Sequence, residues 1–133
     1  MRQNKAGFLI KSLTDDKYLL VKNKESNKWG PPKGHTIKYE KLYDTAVREL
    51  YEETGIKLEK KIDIAYINIS GVRLFLALTT EDLIPNIIDN KEIIECQWIS
   101  VTKLKLEDQK TLTRQIRLFI SNYKIYNKPF LFY

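Results

Sequence analysis

Apolar positions along the chain fall into short runs and two longer helical patterns. Residues 6–10 (AGFLI) and 18–21 (YLLV) are compact apolar runs separated by the turn-forming Thr14-Asp15-Asp16, which predicts two strands in a hairpin relation. Lys22 to Pro32 reads as loop, polar at first and ending in Trp29-Gly30-Pro31-Pro32, because consecutive prolines fit neither a helix interior nor a central strand. From Tyr39 to Thr54 the period lengthens: at ~100° per residue, Leu42, Tyr43, Ala46, Val47 and Leu50 share one apolar arc. Gly55 then stands where a left-handed residue commonly ends a helix. Residues 62–69 alternate like a half-buried strand, Ser70-Gly71 is a turn, and 72–79 (VRLFLALT) is a more buried strand. Residues 81–91, broken by Pro85, read as loop, and Ile94 to Ser100 as a short strand containing Trp98. Leu112, Ile116, Phe119 and Ile120 predict a second helix over 109–122. Strands mixed with two helices at this size predict an α/β sandwich around one sheet.

A length of 133 residues suits one domain, 1–133, with a core that needs no covalent staples. The single cysteine, Cys96, excludes an internal disulfide framework or a zinc site built on several cysteines and points to a reducing compartment, cytosolic or nuclear, with the cytoplasm as the expected location. No apolar run approaches the ~20 residues of a membrane span, and the N-terminus lacks the apolar region of an export signal. The net charge of +6 is uneven. Residues 1–38 carry nine Lys/Arg against three Asp/Glu, and residues 109–133 carry five against none, so two basic ends flank an acidic middle. Such ends either form a solvated surface or draw in a polyanionic substrate, with the acidic groups gathered where a metal sits.

Glu49, Glu52 and Glu53 lie at i, i+3 and i+4 of the first predicted helix and project within an arc of roughly 100°. They repel one another and sit near a helix C-terminus, whose dipole disfavours negative charge. A hard divalent cation such as Mg²⁺ would compensate them, as would partner lysines on a solvated acidic face. Upstream, the spacing runs Gly34, five residues, Glu40, seven residues, Arg48-Glu49-Leu50, one residue, Glu52-Glu53, one residue, Gly55-Ile56. This resembles the signature of the Nudix hydrolases, with every fixed position filled across residues 34–56.

The resemblance implies a single-domain Nudix-type α/β/α sandwich around a mixed sheet. It implies a pyrophosphohydrolase that uses Mg²⁺, or Mn²⁺ in its place, on a nucleoside diphosphate linked to another group. Carried over residue by residue, Glu49 and Glu53 are the firmest metal ligands, Glu52 assists, and the Gly34 carbonyl completes the shell. Arg48 orients Glu49, Glu40 anchors the loop onto the helix, and Gly55 closes the motif. Many members have glycine just before the position of Glu40, where this chain has Tyr39. A further catalytic carboxylate, as ligand or general base, is expected from Glu92 or Glu95, with Glu92 preferred because it precedes Trp98 by six residues. Trp98 and Cys96 are read as packing.

Trp29-Gly30-Pro31-Pro32-Lys33-Gly34-His35 resembles two branches of that family, the mRNA-decapping and the diadenosine-tetraphosphate hydrolases. Decapping-like members also occur in large DNA viruses. Trp29, Lys33 and His35 are the implied substrate contacts, His35 being equally readable as a loop-structural residue. The leading expectation is a dinucleoside polyphosphate or similar nucleotide as substrate. Capped mRNA, diphosphoinositol polyphosphates and a non-catalytic nucleotide sensor are the alternatives, and the intact Arg48, Glu49, Glu52 and Glu53 set argues against the last. RNA contact is expected through the basic ends and the tail 123–133, where aromatics alternate with lysines, unless that tail covers the core as a strand.

Overall fold

A computed structural model describes residues 3–58, 64–80, 85–88 and 91–126. Its centre is β1 (Lys5–Ser12), which runs parallel to β6 (Val72–Thr79) in continuous register from Ala6 opposite Arg73 to Ser12 opposite Thr79. On the other side β1 turns into β2 (Lys17–Asn23), the predicted hairpin partner, with Lys11 opposite Tyr18. β2 also pairs antiparallel with β7 (Ile93–Ser100), and β5 (Tyr66–Ile69) pairs antiparallel with β6, so the sheet is mixed. Beyond the hairpin, β1 and β2 take different partners. β3 (Trp29–Gly30) pairs with β2, while β4 (Lys33–His35) pairs with the first residues of β1. The strap between them carries Pro31 and Pro32, and the Pro32 carbonyl accepts the Phe8 N–H at 3.1 Å. The loop expected over Lys22–Pro32 is therefore partly strand, and it fills the fork between β1 and β2.

Both faces of the sheet are covered, which is why β1 is apolar without a break rather than alternating. Phe8 and Ile10 pack with Leu19 and Phe75 beneath Ala46 and Leu50 of α1 (Leu42–Thr54). Leu9, Tyr18, Leu20, Leu74 and Leu76 face the opposite layer, made by α2 (Val101–Leu106), α3 (Arg114–Ser121) and α4 (Tyr123–Tyr126). Among the described residues no helix is long and apolar enough to cross a membrane.

Several boundaries differ from expectation for local reasons. α1 begins at Leu42 rather than Tyr39, because Tyr39 holds a left-handed φ of 67° that ends any helical path through it. The helix expected over 109–122 is broken. Gln109–Thr111 forms a 3₁₀ turn, Leu112 is extended and bridges to Trp29, and Thr113 caps α3 by accepting the Ile116 N–H. α2 was not expected; Ser100 Oγ accepts the Lys103 N–H at 3.1 Å and turns the end of β7 directly into helix. Of the strand expected over 62–69, residues 62 and 63 lie outside the described residues and the pairing begins at Tyr66. The expected loop over 81–91 also lies partly outside them, at 81–84 and 89–90.

In the tail, 127–133 is likewise outside the described residues, but 123–126 is helical rather than strand-like, with Lys124 and Ile125 exposed and the two tyrosines half-buried. Tyr123 and Tyr126 pack edge-on and stacked against Phe119, with ring centroids 5.6 and 6.0 Å away. Those two aromatics belong to the core side, which removes them from an RNA-stacking surface.

Candidate active site

The fork in the sheet and the C-terminal half of α1 together enclose a cleft of about 590 Å³. Glu49 and Glu53, one helical turn apart, point into the junction and are 8% and 4% exposed. Their carboxyl groups hydrogen-bond each other, and the Lys33 backbone N–H donates to Glu53. Burial and the neighbouring carboxylate push Glu53 up to about 9, and burial raises Glu49 as well, so the pair holds a proton at neutral pH. The Lys33 ammonium shifts the other way. Burial and the nearby Lys5 lower it, against the opposing pull of Glu53 and Glu49.

Arg48 locks the preceding loop onto the helix. Its Nη1 donates to Glu49 Oε1 at 2.9 Å and reaches both oxygens of Glu52 at 3.3 Å. Its Nε and Nη2 form a fork with Glu40 at 2.9 and 3.0 Å, and Nη2 also donates to the His35 carbonyl at 2.9 Å. Glu40 in turn accepts from Thr45 Oγ1 at 2.7 Å and from the Ile37 N–H at 3.1 Å. These charge-assisted bonds, the Arg48 fork first among them, hold the Glu40 carboxyl down at about 2. Glu40 thus ties its loop to α1 through Arg48, whose Nη1 also sits on Glu49.

The helix end is stabilised despite its carboxylates. Gly55 adopts φ 74° and its N–H caps the Tyr51 carbonyl. Asn86 and Ile88 then donate to the carbonyls of Thr54 and Glu52 at 2.7 and 3.2 Å. A Cβ on Gly55 would lie 2.3 Å from the Asn86 carbonyl oxygen, so the close approach of that loop needs glycine.

Around the mouth, Asn23 Oδ1 accepts the N–H groups of Glu25 and Ser26, and Asn27 takes the left-handed φ of 58° that its residue type tolerates. This tight loop places Lys24 and Lys28 on the cleft, together with Lys5, Lys33 and Lys91. Sequence reasoning missed all of these lysines except Lys33. The available signal was the strand alternation of β2, which sets Val21 and Asn23 on the face of α1 and aims the following loop there.

Glu92 lines the cleft, and its backbone carbonyl accepts the Lys24 N–H at 2.7 Å. Glu95 lies out on β7 across from Lys22 and accepts from Gln97 Nε2 at 3.0 Å. Cys96 is half-buried, and its partial burial together with the Glu53 charge pushes its thiol up to about 12. Cys96 and Trp98 both pack against the cluster beneath α1, as expected. His35 stands at the cleft with an exposed side chain. Trp29, expected at the substrate, instead packs against the opposite core cluster, bridged to Leu112 and with the Lys22 ammonium 5.8 Å from its ring centroid. β3 turns it away from the cleft that Gly30 and Pro31 line.

Among the described residues no three acidic, imidazole or thiol side chains converge tightly enough to enclose a metal ion unaided. Glu52 is drawn to Arg48, which leaves Glu49 and Glu53 as the inward donors. Two buried carboxylates sharing a proton that a cation can replace, with room for waters and phosphate oxygens, fit Mg²⁺, which favours partial protein shells of this kind.

A family profile described as the NUDIX domain matches residues 3–119. The chain is 32% identical over 133 aligned residues to the mRNA-decapping enzyme subunit 2 of Arabidopsis thaliana, covering 94% of this chain and 34% of that protein. It is 30% identical over 98 residues to the phosphatase NudJ of Escherichia coli strain K12, covering 68% and 64%. The chain thus spans about a third of the first relative and less than two thirds of the second. Among solved structures, the Ap4A hydrolase binary complex of C. elegans superposes with a TM-score of 0.68 at 20% identity, covering 94% of this chain and 97% of that one. The NUDIX domain of Shewanella oneidensis NrtR, in complex with ADP ribose, superposes with a TM-score of 0.71 at 18% identity, covering 95% and 89%.

Proposed function

The chain belongs to the Nudix family, and we propose that it is a divalent-cation-dependent pyrophosphohydrolase cleaving a nucleoside diphosphate linked to another group. The observation that carries this reading is the buried Glu49–Glu53 pair, of which Glu53 opens onto a lysine-lined cleft. Glu49 and Glu53, with the Gly34 carbonyl, would hold the cation, and Arg48 and the Lys33 N–H fix the orientation of the two carboxylates. When bound, Mg²⁺ supplies charge neutralisation on the pyrophosphate and lowers the pKa of an attacking water. Lys33, with Lys5, Lys24 and Lys91 around it, binds the phosphate oxygens as point charges, with His35 beside them. The Glu92 carboxylate, on the cleft wall, takes the proton from the attacking water.

The linked group is a second nucleoside in the leading reading, a dinucleoside polyphosphate, and an RNA chain in the second. The second is favoured by the 32% identity to a decapping subunit across 94% of this chain. A panel of diadenosine polyphosphates, capped RNA, free cap analogue, nucleoside triphosphates, ADP-ribose and diphosphoinositol phosphates, each with Mg²⁺ or Mn²⁺, tests the proposal. Metal-dependent release of phosphate-containing products from at least one nucleotide is expected. No turnover of any of them rejects the reading in favour of a nucleotide sensor.

A further inference from the structure

A second groove, of about 1090 Å³, is lined by the β4–α1 connection, Thr36 to Lys41. It adjoins the cleft. Lys5 and His35 line the cleft, their chain neighbours Asn4 and Thr36 line the groove, and the Thr36 N–H donates to the Asn4 carbonyl at 2.9 Å. At the rim Tyr39 is 92% exposed, held outward by its left-handed backbone, with the Lys38 ammonium 5.2 Å from its ring centroid. Beside it Ile37 is 57% exposed. Across the groove the Arg73 guanidinium stacks 4.0 Å over the Tyr66 ring and is steadied by Asn68 Oδ1 at 3.0 Å. Three cations, Lys38, Lys41 and Arg73, face a single carboxylate in the lining, Glu40, and Arg48 already neutralises that one.

An outward aromatic ring, flanking cations and side-chain amides are what a single-stranded nucleic acid recognises: stacking for a base, point charges for phosphates, and hydrogen bonds for base edges or 2′-hydroxyls. No feature of the established fold requires a tyrosine there; the backbone at φ 67° suits glycine. We infer that this groove binds the nucleotides of a single-stranded RNA whose 5′-polyphosphate end enters the cleft. The inference rests on the pyrophosphohydrolase reading for that end. RNA rather than DNA follows from chemistry, because RNA chains begin from an unprimed nucleoside triphosphate and retain a polyphosphate at the 5′ end.

The test compares a 5′-triphosphate RNA decamer with a 5′-triphosphate dinucleotide, binding measured by fluorescence anisotropy in EDTA. The decamer is expected to bind at least tenfold tighter, because only it reaches the groove. Tyr39→Gly, which the backbone accommodates, should remove most of that gain, and Tyr39→Phe should restore it. Lys38→Ala with Lys41→Ala should flatten the log–log salt dependence for the decamer by roughly 1.4, at about 0.7 per phosphate released. A gain that survives Tyr39→Gly, or one lost equally in Tyr39→Phe, overturns the inference. Hydrolysis of this dinucleotide and of the nucleotide panel above, with Mg²⁺, is read separately on the wild-type protein. Its absence sinks the catalytic reading alone, while ring-independent decamer binding in an active enzyme sinks the groove alone.

Discussion

Gly34 lies so close to the carboxyl group of Glu49 that a Cβ on it would sit 2.2 Å from Glu49 Oε1. The glycine is there to let β4 pass flat over a buried acid, and any side chain displaces the carboxylate from its Arg48 bond. Gly34→Ala should therefore lower turnover at least tenfold and weaken Mg²⁺ binding. The paired strand makes only three residue pairings, so loss of stability should stay small. Steady-state rates across a Mg²⁺ titration check it; unchanged half-saturation in the variant counts against Glu49 as a ligand.

Glu53 sits well above its ordinary 4.5, at about 9, because it is buried beside Glu49. A carboxyl raised on folding makes the native state bind the extra proton. The contribution of Glu53 to the stability of the metal-free protein should be fully present below pH ~4.5 and be lost as pH rises toward ~9. Glu53→Gln should remove most of that slope and stabilise the metal-free protein, while turnover drops by at least ~100-fold because a ligand charge is gone. Urea melts in EDTA across this range, repeated with Mg²⁺, read both effects. Equal turnover of variant and wild type at saturating Mg²⁺ removes Glu53 from the ligand set.

Glu40 behaves oppositely. Held down at about 2 by Arg48, it contributes stability that is present above pH ~4.5 and lost as pH falls toward 2. Arg48→Lys, which cannot reproduce a two-pronged contact with Glu40 and reach Glu49 as well, should cost about 1–3 kcal/mol. It should also flatten this acid limb. A variant with wild-type acid unfolding would show that the fork carries no stability.

Glu92 and Glu95 separate kinetically. Glu92→Gln should lose the acidic limb of the pH–rate profile with metal affinity intact, and Glu95→Gln should match wild type. Exchanged behaviours would move the base to Glu95.

Tyr39→Gly should raise stability by about 0.5–1 kcal/mol, since a non-glycine residue is strained at φ 67°. An unchanged or lower urea midpoint would mean the ring contributes contacts that offset the strain.

The motif from Gly34 to Ile56 was legible because catalytic spacing on a helix is fixed by the helix itself. One turn brings Glu49 over Glu53 whatever surrounds them. The preference for Glu92 came from counting back along a strand, and there counting is unsafe. Between Lys22 and Asn23 the register with β7 slips, so Asn23 faces Ile93 where an even strand would present Ile94. A fixed spacing from Trp98 therefore does not carry the face of the strand down to Glu92, which reaches the cleft from a turn. Trp29 was misread for a related cause. Its neighbours Gly30 and Pro31 do line the cleft, but a two-residue strand sends adjacent side chains to opposite faces, a fact that no short loop motif reveals. The break in the 109–122 helix was hidden because Leu112 is apolar in either conformation, and only its bridge to Trp29 selects the extended one. The basic lining was invisible because Lys5, the Lys24–Lys28 loop and Lys91 converge from three places in the chain.

Arg48 directs every edge of its guanidinium at the protein, toward Glu40, Glu49, Glu52 and the His35 carbonyl, and no arginine is found among the described residues lining the cleft. On the proposed function, phosphate would then be met by ammonium groups, which hold charge at a distance but impose no angle. Such a mouth weighs its ligand rather than measuring its outline. Chains of different phosphate number, or with different groups at the far end, meet similar attraction there. Discrimination among them has to be made outside the cleft, by whatever engages the part of the molecule that is never cut.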